Sequence, residues 1–81
     1  MIVFGYKIKA SVIMLAKEEL LSMKTFTIQD ARAILVELGV PDKVVFGSPQ
    51  PIALKAADRL LQSMSKSMVI SCPNRKNWII N

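Results

Sequence analysis

The sequence predicts an α+β fold built from three helices and a small antiparallel sheet that ends in a C-terminal β-hairpin. Three observations carry this expectation. Apolar residues recur at three- and four-residue steps in three separate stretches, the period of a helix with one buried side. Gly and Pro punctuate the chain between them, at Gly5, at residues 39–41, at residues 47–51 and at Pro73. After the third stretch, two apolar runs flank a polar, basic turn, which is a hairpin pattern.

The first helix is expected over residues 9–23, where Val12, Ile13, Ala16, Leu20 and Met23 form one core-facing stripe. Ala10, Met14 and Leu21 fall on a second side of the same helix, beyond the normal width of an apolar face. Two readings stand for them. Either residues 1–6 fold over this side, or it is an interface for a second copy of the chain or for another protein. The N-terminal extension, residues 1–8, reads accordingly as a strand or as a dimerisation segment.

Next come Lys24-Thr25-Phe26-Thr27, β-prone residues that lead into Thr27. Thr27 is a good N-cap, and Asp30 three residues later can answer it. A short strand should therefore run into a second helix, whose core stripe is Ile28, Ala31, Ile34, Leu35 and Leu38. Gly39 followed by Pro41 supplies its stop. In the connection, Val44-Val45-Phe46 is too apolar to lie in water, and Phe46 is expected to anchor the loop. Ser48 is expected to cap the third helix, with Pro49 or Pro51 in its first turn.

The third helix is expected over residues 52–65. Ala53, Leu54, Ala57, Leu60, Leu61 and Met64 share one face, and Lys55, Arg59, Gln62, Ser63 and Lys66 share the opposite one, with Asp58 at the boundary. Such a helix docks by its apolar side and offers cations and hydrogen-bonding groups outward. A solvated helix face has the same pattern, so the helix alone does not decide the function. Residues 68–80 read as the hairpin, its turn at Pro73-Asn74-Arg75-Lys76. Since a lone hairpin is unstable, it should pair with the Phe26 strand in a three-stranded sheet. Trp78 is expected to seal that hairpin onto the core, Cys72 to be a core residue, and the five methionines to act mainly as gap-fillers.

At 81 residues the chain supports one core, so a single domain spanning 1–81 is expected. Its hydrophobic content of 52% is high for so small an interior, which suggests that some apolar surface faces a partner. The formal net charge is +5, and the basic excess concentrates in residues 49–81, where five Lys and Arg meet one Asp. That balance favours a polyanion as partner.

Other chemistries find little support in the residues. The chain has one cysteine and no histidine, so Cys72 has no internal disulfide partner and no histidine for a metal site or a nucleophile–base pair. A reducing, cytoplasmic setting fits this best. Glu18 and Glu19 are adjacent, so on a helix they diverge by about 100° and form no converging acid–base pair. The expectation is a non-enzyme with no cofactor, no metal and no small-molecule substrate. The apolar run at 11–16 is short and closely followed by two glutamates, unlike a membrane span or a cleaved signal.

The order helix, short strand, helix, helix, hairpin resembles the winged-helix branch of the helix-turn-helix superfamily. The resemblance runs from about residue 9 to the C-terminus. It is carried by Thr25-Phe26-Thr27-Ile28-Gln29-Asp30-Ala31 at the strand-into-helix entry, by the amphipathic stretch 53–64 in the recognition position, and by residues 68–80 as the wing. It implies sequence-specific binding of double-stranded DNA by a small transcriptional regulator acting as a dimer. The third helix would then lie in the major groove, and the tip at Asn74, Arg75 and Lys76 would touch phosphate or the minor groove. Arg59 would pair with guanine and Gln62 with adenine, and Lys55 and Lys66 would hold phosphates. The alternative is a winged helix that binds a larger protein through Ala10, Met14 and Leu21. The chain departs from the family in two respects: about ten residues separate Leu38 from the expected third helix, where the family has a tight turn, and the outward face of that helix holds only three cations with Asp58 beside them, so phosphate neutralisation by one copy would be modest and salt-sensitive.

Overall fold

The computed structural model describes residues 1–72 and 77–81. The expected wing tip, Asn74, Arg75 and Lys76, lies outside the described residues. The elements run β1 (Ile2–Val3), β2 (Tyr6–Lys7), α1 (Ala10–Leu21), β3 (Thr25–Phe26), α2 (Ile28–Glu37), α3 (Ile52–Lys66), β4 (Ile70–Ser71) and β5 (Trp78–Ile80). Three helices with two small antiparallel sheets make an α+β fold, and from α1 onward the order is the one a winged helix has.

The core forms where the three helical stripes meet. Ala16 and Leu20 of α1, Ala31 and Leu35 of α2, and seven residues of α3 are buried, with Phe26 and Ile70 closing the cluster from the sheet. Helix α3 contributes Ile52, Ala53, Ala56, Ala57, Leu60, Leu61 and Met64. The core side therefore includes Ile52 and Ala56, while Leu54, expected inside, is half-buried at its edge. The small residues Ala53, Ala56 and Ala57 let α2 approach closely, and α2 against α3 is the most extensive contact between elements.

Helix α2 begins and ends on local signals. The Thr27 Oγ1 accepts from the Asp30 N–H, and the Asp30 carboxylate accepts from the Thr27 N–H at 2.8 Å, so both halves of a capping box are present. At its end, Gly39 at φ +98° lets Val40 N–H reach the Leu35 carbonyl and Gly39 N–H reach that of Val36. This is the six-to-one and five-to-two pattern that a left-handed residue permits, and it delivers Val40 into the core.

The three-stranded sheet has the order β3-β5-β4, with Thr25 opposite Ile79, Phe26 opposite Trp78, and Ile70 opposite Ile80. The hairpin thus pairs with the Phe26 strand as expected. Alternation turns Trp78 and Ile80 toward the core and leaves Ile79 exposed. Cys72, expected in the core, is half-buried just past the end of β4 and outside the buried cluster.

Local expectations for the connection give way to longer-range contacts, and the alternative left open for residues 1–6 is decided. Residues 38–51 form a long connection whose carbonyls cap α3: Ile52 N–H donates to Lys43 and Ala53 N–H to Pro41. With those donors satisfied, Ser48 is free of the helix. Its Oγ instead closes a turn with the Val45 N–H and carbonyl, and Pro51 is the N-cap residue. In that turn Gly47 sits at φ +83°, and Val45, not Phe46, packs against the core. Phe46 is fully exposed at the apex, so it anchors nothing. Finally, residues 1–8 form the hairpin β1–β2, which packs against α3 and leaves the second side of α1 uncovered.

Helix α3 ends in the same pattern as α2, but with Met68 in the left-handed position at φ +60°: Val69 N–H reaches Met64 and Met68 N–H reaches Ser65. Neither Met68 nor Met14 fills a gap, since both are exposed, while Met64 is buried. Met68→Gly removes a left-handed Cβ at little cost in packing, and is expected to raise stability by about 1 kcal/mol, read as a higher urea midpoint at unchanged slope. A lower midpoint would show that the Met68 conformation carries no strain. Phe46→Ser is expected to change stability by less than about 0.5 kcal/mol, where loss of a buried Phe costs about 3 kcal/mol or more.

Candidate nucleic-acid interface

A helix that buries half its circumference leaves the other half to present side chains at fixed angles. On α3, the rotation of about 100° per residue sets Gln62, Lys55, Lys66, Arg59 and Ser63, in that order, across an arc of about 100°. All five expected contact residues of the helix thus share one side. Arg59, Gln62, Ser63 and Lys66 are exposed, and Lys55 is half-buried.

The cations on this arc differ in their engagements. Lys55 Nζ lies 3.8 Å from the Asp58 carboxylate, a partly exposed pair at helical i,i+3 spacing and so readily exchanged for another anion. Arg59, expected to reach outward freely, donates from Nη1 to the backbone carbonyl of Ile2 in β1. Lys66 forms no ion pair among the described residues.

The Arg59 contact brings the N-terminal hairpin to the edge of the face. Between that hairpin and the second half of α3 opens a hollow of about 560 Å³, lined by Met1, Arg59, Gln62, Ser63, Lys66 and Ser67. Its lining contains two cations, an amide and two hydroxyls, and no carboxylate. The Ser67 hydroxyl donates to the Ser63 carbonyl at 3.2 Å.

Met1, Ile2 and Ser67 are additions that the sequence pattern of α3 alone did not indicate. A signal existed for the first two: Ile2-Val3 and Tyr6-Lys7-Ile8 flank Phe4-Gly5, a two-residue turn with both φ values positive. That predicts a hairpin, though not where it docks.

The other expected surface lies on α1. Ala10 is exposed, Met14 is 62% exposed and Leu21 42% exposed. They lie within about 40° of one another around the helix, on the side away from its core stripe. Lys17 and Glu18 flank this stripe on either side. No helix among the described residues is long and apolar enough to cross a membrane. Comparison of the chain with protein-family models, with curated proteins and with solved structures returned no match.

Proposed function

We propose that this chain binds double-stranded DNA, with α3 as the groove-facing helix and the polar and basic residues Asn74, Arg75 and Lys76 as a second contact, and that it serves as a small transcriptional regulator. One observation supports this above others: the polar and cationic side chains of α3 share one arc, bordered by the N-terminal hairpin at Arg59, while its apolar side is wholly occupied by the core. An α-helix of about 10–12 Å diameter fits a major groove about 12 Å wide, and Lys, Arg, Gln and Ser are the side chains that meet phosphates and base edges there.

The charge sets the strength. With about four phosphates neutralised per copy, duplex affinity should fall about a hundredfold between about 50 and about 200 mM salt. Fluorescence anisotropy with a labelled duplex measures this; absence of duplex binding at the lower salt concentration rejects the reading.

The uncovered stripe of α1 supports pairing of two copies, which doubles the phosphate contacts, and it equally supports the reading in which this stripe holds a different protein. Ala10, Met14 and Leu21 are exposed, and the N-terminal hairpin that could have covered them packs against α3. Met14→Glu is expected to abolish self-association in sedimentation equilibrium without loss of helical signal, and with it to weaken duplex binding. A wild-type chain that stays monomeric but loses a protein partner on Met14→Glu would favour the second reading.

A further inference from the structure

The geometry points to the hollow between the β1–β2 hairpin and the second half of α3 as a phosphate-binding seat, with Arg59 as a phosphate holder. This inference rests on the DNA-binding reading for its biological ligand, though the seat itself is defined by its own chemistry. Arg59 and Lys66 stand two turns apart on the same side of α3, about 20° from one another around the axis. Gln62 and Ser63 lie between them along the helix, and Ser67 and Met1 complete the lining. No carboxylate enters it, so an anion there meets donors and cations without a competing negative charge.

The contact of Arg59 with the Ile2 carbonyl assigns its role. A guanidinium has five N–H donors, and one engaged at Nη1 leaves its other edge for a bidentate contact. A side chain already tethered at one donor has less freedom to lose on binding a phosphate. The same contact draws Arg59 toward the hairpin, to the flank of the helix and away from its outermost line. A helix lying in the major groove fills most of its width, so whatever protrudes beside that helix meets the sugar–phosphate strand at the groove's rim. The hairpin lies beside α3, joined to it through β1 and Arg59, and the hollow between the two is where the strand would run. On this assignment Arg59 and Lys66 hold phosphates, and base reading falls to residues further round the arc, Gln62 and Lys55.

The seat takes a phosphate group, whose source is either a duplex backbone or a free phosphate. The full chain, titrated with inorganic phosphate against a chloride control of equal ionic strength, is followed by amide chemical shifts. In parallel, duplex affinity is measured over a range of salt for two unrelated sequences. Arg59→Gln and Lys66→Gln are the variants, with Lys24→Gln, an exposed cation outside the hollow, as control. Phosphate should give saturable shifts at Ser63, Lys66 and Ser67 that each variant but not the control removes. Each variant should also weaken both duplexes alike, by about five- to tenfold, and lower the salt slope by about one.

Loss of discrimination between the two duplexes in Arg59→Gln, with the salt slope unchanged, would make Arg59 a base reader and overturn the seat. Salt-dependent duplex binding untouched by either variant would overturn the seat while leaving the DNA reading intact. Saturable phosphate shifts without duplex binding would keep the seat, as a site for free phosphate, and reject DNA as its source. Absence of both signals would reject both.

Discussion

Helix α3 surrenders one whole side to the core, from Ile52 to Met64, and the remaining surface of the molecule is arranged around what that leaves. The burial is possible because three of the seven inward residues are alanines, so α2 can lie close along them, with Leu60, Leu61 and Met64 filling the wider end. Tight packing of this kind has little tolerance for rotation of the helix about its axis. The outward arc therefore has a fixed direction, and Lys55, Arg59, Gln62, Ser63 and Lys66 are presented together. Without the alanine strip the same cations would still be on the helix, but their common aim would not be secured.

The ends of the helices show how a small chain satisfies its backbone. Helix α2 carries its own signals, a reciprocal Thr27–Asp30 cap and a left-handed Gly39. Helix α3 depends on others at both ends. Loop carbonyls at Pro41 and Lys43 take its first N–H groups, and a left-handed Met68 turns the chain into β4. Past that point, the Asn81 side chain donates to the Met68 carbonyl and accepts from the Ser71 hydroxyl, so the last residue fastens the turn that follows α3. The long connection at 38–51 is held by these backbone bonds and by the bidentate pair of Arg32 with Asp42. It occupies the position of the tight turn in the family the order of elements resembles, and it caps α3 in place of a side chain.

Charge and apolar surface are placed on different elements. The outward cations sit on α3, one paired with Asp58 and one tied to a backbone carbonyl, so the electrostatic grip of one copy is modest. The apolar surplus sits on α1, at Ala10, Met14 and Leu21, and at the loop apex, where Phe46 and Val44 are exposed. A 52% hydrophobic chain of this length has more apolar side chains than one small core can enclose, and part of the excess, Ile2 and Met68, lies beside the α3 arc itself.

What the sequence by itself determined is what depends on neighbours a few residues apart. The stripes of all three helices, the capping box at Thr27, the stop at Gly39 and the pairing of the last hairpin with the Phe26 strand were legible because period, cap chemistry and turn chemistry act over one or two turns. The shared face of Lys55, Arg59, Gln62, Ser63 and Lys66 was legible for the same reason. Tertiary structure decided which edge of each apolar face is covered and by what. It put Ile52 and Ala56 inside in place of Leu54, turned Phe46 outward while Val45 packed, and relieved Ser48 of its capping role through the Lys43 and Pro41 carbonyls, which lie outside the helix in the preceding connection. It also set the N-terminal hairpin against α3, where Ile2 meets Arg59 across 57 residues of sequence. Such choices turn on which distant surfaces fit together best, and a pattern that repeats every 3.6 residues carries no record of them.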